Sequence, residues 1–330
     1  MMMILVLSIV FAVTLDLVLG DPKNRYHPTA WIGILIGKLA PLARSDSPRF
    51  EKLAGAILVV SVTALVVALA YSVGHTLAYV DTLDLNGIFK VLVLTASVSA
   101  VGLLLKTTIA IKGMQRHASQ IMDSLSKNDL DGAREKLSMI VKRNTKNLDR
   151  QHIISATLES ISENIVDGIT GPLFYFAFFG LAGAFAYRAV NTADSMIGYK
   201  TDLFRNLGWF GANCDKVLNF VPSRLTSMIM VLASVIVGCN WRHSAEVMKR
   251  DGPKTESPNA GYPMATMAGA LGVKFEKLDH YILGDGSTEF TEKHFKTAIS
   301  VMKVTSVLFA GLFAIPVIMA LYYLGWWNLA

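Results

Sequence analysis

Six apolar stretches alternate with polar segments along the chain, at Met1 to Leu19, Leu53 to Val73, Ile88 to Leu105, Leu173 to Tyr187, Leu225 to Cys239 and Val301 to Leu324. A bilayer's hydrocarbon core is about 30 Å thick and takes about 20 helical residues to cross, so the fourth and fifth stretches are short for a full span. This pattern predicts an all-α, polytopic helical membrane protein with about four to six membrane-embedded helices. Gly171-Pro172 at the entry of the fourth stretch, with Gly180 and Gly183 inside it, predict that some helices are broken or re-entrant. Non-helical backbone at membrane depth is tolerated where it is buried in protein or lines a cavity.

The first stretch lacks a basic leading region and a small-x-small cleavage site before Gly20, which predicts a retained anchor rather than a cleaved signal. Asp16 is costly in hydrocarbon unless it reaches an interface or a partner. Residues 21 to 52 and 106 to 150 are rich in cations, whereas Gly74 to Gly87 carries no Lys or Arg. The positive-inside rule therefore puts the N-terminus outside and both basic loops in the cytoplasm, in a multi-pass protein of the cytoplasmic (inner) membrane. Lys106 to Arg150 holds ten Lys or Arg against five Asp or Glu, and Ala133 to Val141 has helical spacing, with Asp129 to Gly132 as its start signal. The chain reads as one membrane-embedded domain over residues 1–330, with 106–150 as a helical cytoplasmic insertion. If the fourth and fifth stretches do not cross fully, the polar segments 150–170, 188–224 and 250–285 all face the cytoplasm.

Composition strengthens this picture: 52% hydrophobic residues, 17% charged residues and a mean hydropathy of +0.44 exceed what an ordinary soluble domain carries. The net charge of +6 is concentrated in loops, where it reads as a topology signal facing anionic lipid. No basic stripe with interleaved aromatics marks nucleic-acid binding. Cys214 and Cys239 are too few for a disulfide framework or a cysteine-rich zinc site.

Four polar segments carry candidate chemistry. In the first, Glu159, Glu163 and Asp167 recur at i, i+4 and i+8 and share a helix face, beside Asn164 and Thr170. Three stacked carboxylates repel, so they need a metal or a cation; Mg²⁺ with substrate phosphate suits these oxygen ligands, and a solvated acidic face is the competing reading. The second places Arg188, Asn191 and Asp194 three residues apart, followed by Lys200. These read as a phosphate or metal grip, or as hydrogen bonds between helices. In the third, Asp215, Asn219 and Arg224 are candidate cavity residues, while Trp209 and Phe210 serve as interfacial anchors or as a wall for a flat ligand. The fourth, Asp251 to Pro263, is broken by Gly252, Pro253, Pro258 and Gly261; its Ser257, Asn259 and backbone amides suit an anion, or the segment is a plain connection. No phosphate-binding P-loop, dinucleotide fingerprint, zinc-protease or nucleophile-elbow motif occurs.

The strings ESISENIVDGITGPLFY, NTADSMIGYKTDLFRNLGWF, NFVPSRLT and SPNAGYPMATMAGALGV, after an opening LDLVLGDP and HP, resemble the CobD/CbiB family in order across residues 15 to 285. Met264 departs from the pattern, because the commoner family form has an acidic residue after the Tyr-Pro or Trp-Pro pair, and this argues against a catalytic role there. The resemblance implies an adenosylcobinamide-phosphate synthase, an ATP-dependent acid-amine ligase joining adenosylcobyric acid to aminopropanol phosphate or aminopropanol. It also implies the setting of corrinoid-pathway enzymes and membrane lipid.

Residue type and spacing then suggest roles for that reaction. Glu159, Glu163 and Asp167 are the catalytic candidates, and the same three with Asp194 are the Mg²⁺ candidates. Arg188, Asn191, Lys200, Asp215, Arg224, Ser257 and Asn259 are assigned to substrate and phosphate. Two rivals differ in class. A Mg²⁺-dependent prenyl or alcohol-phosphate transferase is echoed by Asn191 to Asp194 but lacks an Asp at Gly198, and a transporter would show internal pseudo-symmetry that the chain lacks.

Overall fold

The computed structural model describes every residue except Lys23, 82–84, Lys200, 278–279 and 329–330. It is 78% helical. The helices run α1 Met2–Val18, α2 Pro28–Leu39, α3 Pro48–Asp81, α4 Gly87–Lys106, α5 Ile111–Ser126, α6 Leu130–Ser138, α7 Arg150–Ile165, α8 Gly171–Ile197, α9 Trp209–Leu218, α10 Phe220–Val237, α11 Trp241–Asp251 and α12 Gly261–Leu271. An antiparallel hairpin of β1 Phe275–Lys277 and β2 Tyr281–Leu283 follows, then α13 Glu292–Phe309 and α14 Ile315–Tyr323. Among the described residues five helical segments are long and apolar enough to cross a membrane: Pro48–Leu77, Gly87–Ser126, Arg150–Ile197, Phe220–Val237 and Glu292–Tyr323. The protein is a multi-pass helical membrane protein.

Local signals explain where the elements start and stop. Asp129 caps α6 by accepting the Gly132 amide at 2.9 Å, as the Asp129 to Gly132 signal predicted. Asp149 caps α7 through the His152 amide at 2.9 Å, and Asn240 caps α11 through the His243 amide at 3.2 Å. Helices α10 and α12 end on left-handed glycines, Gly238 and Gly272. The apolar run around Ile34, absent from the six predicted stretches, forms α2, with Pro28 in its first turn. The hairpin was likewise not predicted.

The fourth stretch is broken, as expected. A five-residue π turn, Val166–Thr170, joins α7 to α8, and α8 itself kinks at Gly180, whose φ of 60° and ψ of −147° fall in a region open in practice only to glycine.

The chain divides into two compact units. Unit 1 comprises Met1–Ala110, Gly171–Leu218 and Ala310–Ala330; unit 2 comprises Ile111–Thr170 and Asn219–Phe309. In unit 1, α1 packs on α4, where Gly102 approaches Phe11 and Ser8 donates to the Val98 carbonyl at 3.2 Å. α3 packs on α8, and Phe174 of α8 stacks on Phe313 with centroids 5.3 Å apart. Ile88, Phe89, Val91 and Leu92 of α4 stay exposed, an apolar face suited to lipid. In unit 2, α7 is buried on all sides from Ile153 to Ser162, and α10 lies against α12 and α13. A helix enclosed this fully is a core helix, and its Ser, Thr and Ala residues let neighbours come close.

Candidate functional site

Polar side chains are concentrated in several clusters within each unit. In unit 1, Arg188 donates to Asn191 Oδ1 at 3.3 Å, and Asn191 donates through Nδ2 to Asp215 Oδ1 at 3.1 Å. Three residues singled out in the sequence, from α8 and α9, thus form one chain of hydrogen bonds. Asn191 is 6% exposed, while Arg188, Asp194 and Asp215 are half-buried. Tyr187, one residue before Arg188, stacks on Tyr175 with centroids 5.3 Å apart. Gly171 makes this possible, since a Cβ there would collide with the Tyr187 ring. Trp209 is exposed, with the Lys52 ammonium 5.5 Å from its ring centroid, which fits the interfacial-anchor reading. Lys200 lies outside the described residues.

A second polar cluster of unit 1 went unforeseen. Lys106, at the end of α4 and 3% exposed, places its ammonium 2.9 Å from Asp21 and 3.4 Å from the fully buried Asp16. Asp21 also lies 3.4 Å from His27 Nε2. Burial raises the Asp21 pKa, but hydrogen bonds from His27 and Lys106 outweigh it and hold the carboxyl below its ordinary value. The partner that Asp16 needed therefore lies ninety residues further along the chain.

Unit 2 holds the first predicted segment. Glu159 is 3% exposed and both its oxygens are engaged: Arg143 Nη2 donates at 2.6 Å and the Tyr281 hydroxyl at 2.8 Å to Oε2, and Ser155 donates at 2.9 Å to Oε1. Burial and the Glu159 charge push the Tyr281 phenol well above its ordinary range, so it remains a donor. Glu163 is exposed, and the half-buried Asp167, on the π turn, accepts from Asn219 Nδ2 at 3.1 Å. Met264 is buried, with its sulfur 3.8 Å from the Tyr281 oxygen.

Among the described residues no three His, Cys, Asp or Glu side chains assemble into a metal site. Mg²⁺ commonly binds through one or two carboxylates plus substrate phosphate and water. Glu163 and Asp167, one turn apart, fit a site of that kind. Glu159 does not, because a cation and two hydroxyls already satisfy its carboxylate; here the arrangement departs from the equivalence of the three acids that their spacing suggested.

Arg224, at the start of α10, donates to Asn259 Oδ1 at 3.2 Å and to the Pro258 carbonyl at 3.2 Å, and its guanidinium lies over Phe220 and Tyr262. Ser257 Oγ accepts the amides of Asn259 and Ala260, both at 3.3 Å. The predicted loop over Asp251 to Pro263 narrows to the connection 252–260 between α11 and α12, which is ordered by its own side chains, and Ser257 occupies amides that an anion would use. The loop is also fixed at its start. Asp251 is fully buried, with Arg250 at 2.7 Å, Lys254 at 2.6 Å and the Gly284 amide at 2.7 Å. Burial raises its pKa, but these partners hold it far below the usual carboxylate range.

Ser155, Arg143 and Tyr281 were not singled out in the sequence. Ser155 stands one turn before Glu159 and was legible in principle. Arg143 and Tyr281 reach it from a loop and a hairpin, through contacts that no local pattern records.

The residues carrying this geometry fall within a match to the family model for CobD/Cbib protein, over residues 9–309. The chain belongs to the CobD/CbiB family. It is 37% identical over 301 residues to the probable cobalamin biosynthesis protein CobD of Methanothermobacter thermautotrophicus, covering 91% of this chain and 94% of that protein. It is 36% identical over 309 residues to the cobalamin biosynthesis protein CobD of Leptospira interrogans, covering 91% and 94%. The Dehalococcoides mccartyi protein of the same name is 37% identical over 282 residues, covering 85% and 87%. No solved structure matches the chain. A CobD/CbiB protein has its place in cobalamin biosynthesis, which agrees with corrinoid substrates.

Proposed function

We propose that the protein is an adenosylcobinamide-phosphate synthase of the cytoplasmic membrane, condensing adenosylcobyric acid with aminopropanol phosphate or aminopropanol at the expense of ATP. The observation that carries this reading is the near full-length likeness to proteins named for cobalamin biosynthesis. The buried and half-buried carboxylates and cations of α7, α8 and α10 add to it.

A carboxylate is a poor acyl donor. In the proposed route a corrinoid carboxylate oxygen attacks the γ-phosphorus of ATP, and ADP leaves. The amine nitrogen then attacks the acyl carbon, inorganic phosphate leaves, and the amine proton passes to a protein carboxylate. Mg²⁺, when bound, offsets the phosphate charge. We assign its ligation to Glu163 and Asp167, both in unit 2; Asp194, in unit 1, is kept as a separate Mg²⁺ candidate. Arg188 and Arg224 supply guanidinium groups suited to phosphate oxygens. Asn191 and Asp215 fix Arg188, and Asn259 fixes Arg224. Lys200 and Ser257 are retained as phosphate candidates. We further assign the polar segments 150–170, 188–224 and 250–285 to the cytoplasmic side, where nucleotide and corrinoid-pathway enzymes are found. External thiol labelling of cysteines introduced at 195–215 in intact cells would overturn that placement.

The reaction is tested with purified protein in detergent, Mg²⁺ and ATP, by incorporating labelled aminopropanol phosphate, and separately aminopropanol, into adenosylcobyric acid. Product requires ATP, and Glu163→Gln lowers the rate by at least about a hundredfold. Absence of product with either amine, from protein that melts cooperatively, removes the proposal.

A further inference from the structure

A cleft in unit 2 is used by none of these assignments. It has a volume of about 160 Å³, and its walls include Arg143, His152, Lys277 and His280, with Glu276 and the apolar Leu148. Four of these six side chains are cationic or can become so.

Arg143 enters the cleft in a fixed pose. Glu159, itself held by Ser155 and Tyr281, takes the Nη2 end of the guanidinium at 2.6 Å. A guanidinium has five N–H donors in a rigid fork, and phosphate oxygens match that fork. Lys277 adds a point charge, its ammonium 5.8 Å from the Tyr281 ring centroid. His152 and His280 set their Nδ1 atoms 2.8 Å from Asp149 Oδ1 and 3.2 Å from Glu256 Oε1. The one carboxylate in the wall, Glu276, has the Lys274 ammonium at 3.8 Å. The volume equals that of roughly five water molecules. That suits one phosphate group on a short chain, and it is well below the roughly 300–1,000 Å³ taken by larger ligands.

We propose that this cleft, built on the Glu159–Arg143 pair and Lys277, is an anion site that receives a phosphate monoester of a short-chain ligand. The anion site stands on the cleft alone; its assignment to the phosphate of the amine substrate rests on the reaction proposed above.

The test is direct binding to the full-length protein in detergent, followed by ³¹P NMR and calorimetry. The probes are inorganic phosphate, aminopropanol phosphate and aminopropanol, offered to native protein and to Lys277→Met. Lys277 lies on the hairpin and is half-buried, and an unchanged melting curve confirms that the variant folds. Both phosphates bind native protein, aminopropanol does not, and Lys277→Met weakens binding by about tenfold or more. Binding of inorganic phosphate without aminopropanol phosphate supports the anion site and overturns its assignment to the amine. Equal affinity in native protein and variant, or no binding of either phosphate, overturns the site. Phosphate binding that Lys277→Met abolishes, in protein that forms no amide, leaves the site standing and removes the reaction. Amide formation with an unchanged KM for aminopropanol phosphate in Lys277→Met does the reverse.

Discussion

Unit 1 and unit 2 solve the problem of a buried charge in opposite ways. In unit 1 one ammonium, Lys106, serves two carboxylates, Asp16 and Asp21. In unit 2 single carboxylates are served by several donors: Glu159 by Arg143, Ser155 and Tyr281, and Asp251 by Arg250, Lys254 and the Gly284 amide. The first arrangement leans on one shared cation, with His27 beside Asp21 as a weaker partner, because two carboxylates near each other repel once their common cation is gone. The second is redundant, and loss of one donor leaves the charge still engaged. A shared cation therefore makes a brittle anchor, and a surrounded carboxylate makes a tolerant one.

Breaking the brittle anchor has the largest expected effect. Lys106→Met strips the ammonium from two buried or half-buried carboxylates and costs about 3–5 kcal/mol, read as a lower Tm or as loss of folded protein from the membrane fraction. A cost below about 1 kcal/mol would show that Lys106 is not the common anchor.

Asp251→Asn comes next. Its cost is about 2 kcal/mol, held down because Arg250 and Lys254 are each about half exposed and solvent screens them. The pH sign follows from the depressed folded pKa. The stabilisation is complete above the ordinary aspartate value of about 3.9 and is lost as pH falls toward the lower folded value. The Tm gap between native protein and Asp251→Asn is accordingly widest near neutrality and closes in acid. A gap that widens in acid would contradict the ion-pair account.

The smallest effect sharpens the other side of the comparison. Tyr281→Phe removes one of three donors from Glu159 and costs about 1 kcal/mol by thermal unfolding. An effect as large as that of Lys106→Met would erase the distinction between the two arrangements.

Much of the architecture was legible in the sequence by itself. Apolar runs at spanning length specified a helical membrane protein, because a bilayer demands that backbone hydrogen bonds be satisfied within a segment. Some local signals read correctly, as at the Asp129 cap of α6 and the break at Gly180, while others within a few residues, such as the Ser155–Glu159 pair and the β hairpin, did not. The order of the polar strings indicated the family, since short strings keep their identity without folding.

Tertiary structure alone decided which polar residues meet. Glu159, Glu163 and Asp167 look equivalent at helical spacing, yet Arg143 and Tyr281 arrive from a loop and a hairpin and hydrogen-bond Glu159. Asp16 announced a need for a partner, and only the packing of α1 on α4 supplied Lys106. The division into two units has joints at 110/111, 170/171, 218/219 and 309/310, of which only the first lies near a change of composition, the start of the cation-rich segment after α4. The physical reason is range. Helix formation, capping and membrane insertion depend on a few neighbouring residues, whereas burial and ion pairing depend on which distant segments the fold brings together.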